Sequence, residues 1–184
     1  MSLKIETGYL RGLSFDTVNS KNTRYTPAQL RRTLANIFDF SDCKVLEIFG
    51  GSGSFSFEAI SNDASDSTII EASSKAVMTI KSNIKKLNID EKINVIKKDY
   101  RAAVLELVNE KKSFDIIFAD PPFNLNFCNE FLSIMDENFM IFNENCYLIL
   151  EKSKHENCDI ELKNIFLEET RNYGDIDINI YKRK

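Results

Sequence analysis

A chain of 184 residues with 43% hydrophobic content and a net charge of −4 is long enough to bury one substantial core. Its acidity excludes a nucleic-acid coat protein while leaving a local basic surface open. No apolar run of about 18 residues occurs and residues 1–20 hold no apolar signal segment, so a cytoplasmic protein without a membrane span is expected.

His155 is the single histidine, which excludes a histidine triad and any two-histidine metal site. Cys43, Cys128, Cys146 and Cys158 are widely spaced and form no C-x-x-C pair. Neither a zinc site nor a disulfide framework is therefore expected, and the four are read as core or loop residues. Charge is uneven: residues 1–40 carry six basic side chains against three acidic ones, an excess of +3, which leaves −7 for the remainder. A basic head on an acidic body suits a polyanion docking at one end, although solvated surface charge accounts for it equally well.

In chain order, residues 1–15 open with a short β-like run, then Gly8 and Gly12 with Arg11 between them, a pattern for a small strand or hairpin. Residues 16–22 are polar and read as a loop. Over 26–38, Leu30, Leu34, Ile37 and Phe38 recur at helical spacing behind Pro27, with Arg31 and Arg32 placed off the apolar face. Residues 44–61 then give a strand, a glycine turn and a helix start in succession. Val45, Leu46, Ile48 and Phe49 form an apolar run suited to a strand buried on both faces, and Gly50-Gly51-Ser52-Gly53 follows it. The next helix begins at residues 55–60, with its first amides directed into the turn.

Further strands are expected at 68–71, 94–97, 114–119 and 146–151, and further helices at 74–87, 100–109 and 129–135. Strands alternating with helices call for a parallel sheet covered on both faces. The chain ends differently: 165–171 and 176–182 flank Asn172-Tyr173-Gly174-Asp175, and Ile176, Ile178 and Ile180 alternate with Asp177, Asn179 and Tyr181. That is an antiparallel hairpin closing the sheet edge.

A glycine turn after a first strand binds nucleotides of several kinds. The third glycine of G-x-G-x-x-G, counted from Gly51, falls on Ser56, and no Lys follows, so this is neither the full dinucleotide fingerprint nor a phosphate loop. Glu71 stands 20 residues beyond Gly51 at a strand end, where a carboxylate takes both ribose hydroxyls. Glu47 either meets a cationic amino group or tethers the turn's own amides. Asp99 either accepts from an adenine amine or caps the following helix.

Asp120-Pro121-Pro122-Phe123 is the most specific stretch, since two prolines directly after a buried strand remove two donors and stiffen the loop. Phe123 can stack on a flipped-out base, while Asp120 and the Pro121 carbonyl accept from its exocyclic amine. Two such acceptors favour a pyramidal nitrogen and stabilise the charge that grows as a methyl group arrives.

E-I-F-G-G-S-G at 47–53 followed by F-E-A-I-S at 57–61 is similar to the D-x-F-A-G-S-G…E-A-L-S motif of S-adenosylmethionine-dependent methyltransferases, and D-P-P-F matches their amine-methylating motif. Within that group the chain resembles the RsmD family, bacterial enzymes that methylate the N2 amine of a guanine in small-subunit ribosomal RNA. G-Y-L-R-G at 8–12 looks like the family's A-G-x-x-R-G opening, and R-Y-T-P-A-Q-L-R-R-T-L-A-N-I from 24 resembles its R-P-T-x-D-R-V-R-E-x-L-F-N-x helix. L-I-L-E at 148–151 and the closing Y-G-D…Y-K-R fall where the family has its late strands. Tyr25, Ala28, Arg32, Gly50 and Ser56 depart from it, standing where Pro, Asp, Glu, Ala and Gly are usual.

The resemblance implies a class I methyltransferase fold, with a mostly parallel seven-stranded sheet and a C-terminal antiparallel hairpin. It would comprise an N-terminal extension at 1–40 and a methyltransferase domain at 41–184, acting as a monomer. Glu47, Phe49, Gly51, Ser52, Gly53, Glu71, Ala72, Asp99 and Tyr100 would hold S-adenosylmethionine. Asp120, Pro121, Pro122 and Phe123 would hold the target base, and Arg11, Arg24 and Arg31 would face ribosomal RNA or the small ribosomal subunit. Two other readings use the same residues: an adenine-N6 DNA methyltransferase and, leaving the double proline unexplained, a nicotinamide-dependent oxidoreductase.

Overall fold

A computed structural model describes residues 2–18, 26–122 and 127–184. The fold is α/β, and seven strands form a mostly parallel main sheet that ends in an antiparallel hairpin. By contact density the chain divides into Met1–Tyr100 and Arg101–Lys184.

In the first unit, β1 (Ser2–Lys4) and β2 (Ser14–Asp16) make a separate antiparallel pair. They are followed by α1 (Ala28–Ile37), β3 (Lys44–Ile48), α2 (Ser54–Ser61), β4 (Asp66–Ile70), α3 (Ser74–Leu87) and β5 (Ile93–Ile96). Strands β5, β4 and β3 lie side by side and parallel. Val45, Leu46 and Ile48 are fully buried, as the apolar run at 45–49 requires of a two-faced strand. Helix α3 coincides with its expected span. Ser73 caps its first turn by accepting from the Ala76 amide, and Asn88 ends it in the left-handed conformation. Pro27 sits one position before α1 rather than inside it.

The N-terminal residues are bolted to α2. Glu58 accepts from the Glu6 amide (2.8 Å) and the Thr7 amide (3.2 Å), and Ser61 supplies its carbonyl to the Tyr9 amide (2.8 Å) and its hydroxyl to the Leu10 amide (2.9 Å). Gly8 has φ +72, and a Cβ there would lie 1.7 Å from the Ser61 carbonyl oxygen, so only glycine allows the approach. Asn83 of α3 completes the docking as a surrogate strand, accepting from the Asp16 amide and donating to the Asp16 carbonyl, both at 2.8 Å.

Arg31, expected on an RNA-facing surface, is instead 2% exposed. Its guanidinium donates to the Thr26 carbonyl (2.7 Å) and the Lys4 carbonyl (3.0 Å), and it pairs with Glu6 (3.4 Å) and Glu58 (3.5 Å). Helical geometry is the reason. Residues seven apart share nearly one azimuth on a 3.6-residue helix, so Arg31 lies in line with Phe38 at the margin of the apolar stripe. Arg32, roughly 100° further round by the same geometry, is the exposed member and pairs with Glu6 at 2.8 Å.

Helix α4 (Tyr100–Asn109) begins on the last residue of the first unit, and the second unit continues with β6 (Phe114–Ala119), α5 (Phe127–Glu137), a short 3₁₀ turn (Phe139–Ile141), β7 (Phe142–Ser153), β8 (Ile165–Tyr173) and β9 (Ile176–Arg183). Strand β7 is longer than the expected 146–151. The order here is β6-β7-β9-β8, so the hairpin closes the edge with its second strand inside. The alternation in β9 therefore marks no solvent face. Asp177, Asn179 and Tyr181 are all buried, with Asp177 taking the Lys152 ammonium (3.2 Å) and the Asn172 amide (2.6 Å), and Asn179 the Thr170 hydroxyl (2.9 Å). Each polar group in this row has a partner, as burial demands.

The connection between β7 and β8 is held at both ends. Lys152 donates to the Glu156 carbonyl (2.8 Å), and Asp136 of α5 accepts from three successive amides, Lys163 (3.0 Å), Asn164 (2.7 Å) and Ile165 (2.9 Å). Burial works against the Asp136 anion, but these amides prevail and hold its pKa below the usual carboxylate range. Between the anchors Cys158 is disulfide-bonded to Cys128 of α5, which corrects the expectation that no cysteines pair. A separation of 30 residues carries no spacing signal, and only the folded chain brings the two together. Cys146 is buried and Cys43 half-buried, both as free thiols.

Two stability outcomes follow from these restraints. Cys158→Ser, or reduction of the wild-type chain, should cost about 2–4 kcal/mol, because a cross-link over this separation restricts the unfolded chain; equal urea midpoints with and without reductant would contradict it. Arg31→Ala should cost about 3–5 kcal/mol by leaving Glu58 buried without its cation, and should speed proteolysis before residue 18. A variant as stable as wild type would mean that Arg31 carries no such role.

Candidate active site

Strands β3 and β4 pair from Lys44↔Asp66 to Ile48↔Ile70, so Glu47, the last residue but one of β3, and Glu71, directly after β4, arrive at the same edge. Beyond β3 the chain leaves extended geometry at Phe49, whose φ of 64° is rare for a bulky side chain, and turns through Gly51 (φ 54°) and Gly53 (φ 79°). The glycines serve different ends. A Cβ on Gly50 would lie 2.3 Å from Ile69 Cγ2 and one on Gly53 2.8 Å from Phe57 Cζ, so these two permit close packing. A Cβ on Gly51 would meet nothing nearer than 3.9 Å, which leaves open space beside the backbone there.

Two carboxylates hold the turn. Glu47 is buried and accepts from the Ser56 amide (2.9 Å) and the Phe55 amide (3.3 Å), second- and third-position amides of α2, whose own N-cap Gly53 offers no side chain. Of the two roles open to Glu47, tethering the turn's amides is the one its contacts make, and these two amides are taken rather than directed outward. Burial pushes its pKa up to about 7, opposed by the hydroxyl and amide of Ser56 and the amide of Phe55, while nearby Glu71 adds to the rise. The half-buried Glu71 accepts from the Gly51 amide (2.9 Å) and the Ser73 amide (2.7 Å). An ionised carboxylate has about four acceptor sites, so further hydrogen bonds can be taken.

The Ser52 hydroxyl lies within this turn, fully buried and without a hydrogen-bond partner among the described residues. Phe49 packs on buried Tyr100 with ring centroids 5.0 Å apart. Ala72 is exposed, as is Asp99 directly before α4.

In the second unit, Ala119 pairs with Leu150 at the end of β6, and the double proline follows. Asp120 is half-buried, Pro121 buried and Pro122 exposed, while Phe123 lies outside the described residues. Of the expected RNA contacts, Arg11 is exposed, Arg24 lies outside the described residues, and Arg31 is internal as described above.

Residues 3–182 match the family model described as Conserved hypothetical protein 95. The chain belongs to the RsmD family. Two relatives named ribosomal RNA small subunit methyltransferase D, both from Buchnera aphidicola, are 32% and 33% identical to it. The alignments cover 83% and 82% of this chain, and 78% and 76% of the relatives. Among solved structures, the protein provisionally named methyltransferase yhhF from Escherichia coli superposes with a TM-score of 0.82 at 22% identity, covering 100% of this chain and 99% of that one. SMU.776, also provisionally named a methyltransferase and complexed with SAH, gives 0.73 at 15% identity over 93% and 54% of the chains. The fold is that of S-adenosylmethionine-dependent methyltransferases.

This RsmD-family turn suits the cofactor of that fold. An orphaned buried hydroxyl at Ser52, open space beside Gly51 and spare acceptor capacity on Glu71 are the features a nucleoside with hydroxyl and amino groups would use. Both departures from the family's turn are absorbed locally. The Ile69 methyl fills the place of a Cβ at Gly50, and the Ser56 hydroxyl accepts from Ser67 at 2.8 Å. Sequence reasoning missed that second pair, since no pattern links residues 56 and 67.

The raised pKa of Glu47 has a sign. Below about pH 4.5 the carboxyl is neutral in both folded and unfolded chains. From there to about 7 the folded chain binds more protons, so stability falls as pH rises through that window. Glu47→Gln, neutral throughout, should flatten this part of the profile in urea unfolding at about pH 5, 6 and 7. An unchanged slope would place the titration elsewhere.

Proposed function

We propose that this chain transfers a methyl group from S-adenosylmethionine to the exocyclic N2 amine of a guanine in small-subunit ribosomal RNA. The observation that carries the reading is Asp120-Pro121-Pro122-Phe123 directly after β6, in a chain whose relatives are named for methylation of that RNA. Family membership also favours it over the nicotinamide-dependent alternative.

S-adenosylmethionine supplies the methyl group. The Gly51 backbone and the Ser52 hydroxyl are the groups to hold its amino-acid portion, Glu71 its ribose hydroxyls and Asp99 its adenine amine. Phe49, Ala72 and Tyr100 supply apolar wall, and Gly53 lets the chain turn. Glu47 keeps the turn in shape through the Phe55 and Ser56 amides and is a positioning residue.

Asp120 and the Pro121 carbonyl accept hydrogen bonds from the guanine amine, and Phe123 stacks on the base. Proline at 121 and 122 removes two donors and restricts φ, so neither residue brings an amide of its own to the base. As the nitrogen–carbon bond forms and the sulfur–carbon bond breaks, charge grows on the nitrogen; the two acceptors stabilise it until a proton leaves to solvent. No Lewis acid enters, because a sulfonium is already an activated leaving group. Arg11, exposed in the N-terminal turn, adds a cation for the RNA backbone.

Asp120→Ala should keep S-adenosylmethionine affinity within about twofold while lowering methyl transfer about 10²- to 10³-fold. The comparison uses equilibrium dialysis and labelled transfer to small ribosomal subunits from a strain lacking the gene, with the modified base then mapped. Transfer retained in the variant removes Asp120 from the chemistry, and label on duplex DNA alone removes the RNA reading.

A further inference from the structure

Tyr9 is an aromatic side chain turned outward on a rigid support. Its residue is 58% exposed, although its own amide is fixed to the Ser61 carbonyl and the next amide to the Ser61 hydroxyl. The turn that carries it is closed on itself. Ile5 donates to the Leu13 carbonyl and accepts from the Gly12 amide, both at 2.9 Å, and the Arg11 amide returns to the Gly8 carbonyl at 3.2 Å. Leu13, on the same turn, is 48% exposed.

Cations accompany the ring. Lys92, just before β5, places its ammonium 5.8 Å from the Tyr9 ring centroid, and Arg11 is exposed two residues along the turn. Single exposed aromatics are ordinary on protein surfaces and need no explanation. What distinguishes Tyr9 is the combination: a backbone locked by hydrogen bonds to α2 and within its own turn, a ring left largely open, the Lys92 ammonium over that ring, and the exposed Arg11 two residues along, in a segment whose local charge is +3 in a chain of −4.

We infer that Tyr9 is a stacking platform for an unpaired base of the RNA substrate, with Lys92 and Arg11 meeting the flanking phosphates. The inference rests on the RNA reading above and assigns Tyr9 and Lys92, which sequence reasoning did not single out. A ring carried on a fixed backbone loses less freedom when a base stacks on it than one on a mobile loop, and stacking tolerates any base because each has a π-face. Lys92 lies over one face of the ring, and its flexible side chain can swing from there to a phosphate. Asp90 and Glu91 directly precede it, so the site is not a general polyanion sink, and stacking rather than charge should dominate. A paired base is already stacked in its own helix, so the platform selects single-stranded nucleotides over duplex.

The chain contains no tryptophan, so Tyr9→Trp creates a unique fluorophore at the platform. A short single-stranded RNA should quench this emission strongly, and the same RNA annealed in duplex should quench it little. Tyr9→Ala should weaken binding of the single strand about fivefold or more, Tyr9→Phe should restore it, and S-adenosylmethionine affinity should be the same in all three variants. RNA binding that is equally tight in Tyr9→Ala overturns the platform, as does unquenched emission from the Tyr9→Trp variant under conditions where filter binding shows RNA bound. Methyl transfer by the wild-type chain to small ribosomal subunits is measured in parallel. Transfer without quenching ends this inference and leaves the proposed activity standing; quenching without transfer to any RNA does the reverse.

Discussion

Two carboxylates at the ends of neighbouring strands hold the backbone amides of one glycine turn, and the arrangement around that turn depends on them. Glu47 takes the amides of Phe55 and Ser56, and Glu71 takes those of Gly51 and Ser73. A helix start leaves amides without internal partners, and Gly53 has no side chain to cap them, so the acceptor comes from the preceding strand. The cost is a buried carboxyl whose pKa rises to about 7. The return is a turn whose shape is set by the protein itself, with the Gly51 side and the Ser52 hydroxyl left for something else.

Helix α2 carries that turn at one end and the N-terminal segment at the other. All eight of its residues are buried, and at 1.5 Å per residue it spans only about 12 Å. Its N-terminal amides bind Glu47, while its C-terminal half supplies Glu58 and Ser61 to residues 6–10. A short helix without a polar face survives because both of its ends are tied by side chains and amides from elsewhere in the unit, rather than by helix propensity. The platform turn and the glycine turn therefore share one rigid strut. Arg31 completes the attachment, and it pairs with Glu58 where a phosphate-binding arginine would have to face water.

The second unit manages its polar groups in a comparable way. Strand β9 is inserted between β7 and β8, so the polar alternate positions that a half-exposed strand would turn to solvent are enclosed instead. They persist because Lys152, Thr170 and Asn172 stand at the right registers to meet them. Asp136 and the Cys128–Cys158 bond then hold the long β7–β8 connection against α5. Closure of this edge thus relies on side chains far apart in sequence.

By itself the sequence determined the elements whose periodicity is local and unbroken: α3, α4 and β6 occupy their expected spans, and the glycine turn and double proline fall at strand ends as their conformational limits require. It also determined the family, through the spacing of those motifs. Tertiary structure alone decided four matters: the burial of Arg31, the tethering role of Glu47, the inward position of β9 and the pairing of Cys128 with Cys158. The physical reason is common to all four. Periodicity reports which side of an element is apolar, but whether a charge, thiol or polar row on its margin is covered depends on partners brought by distant segments, and no window along the chain contains them.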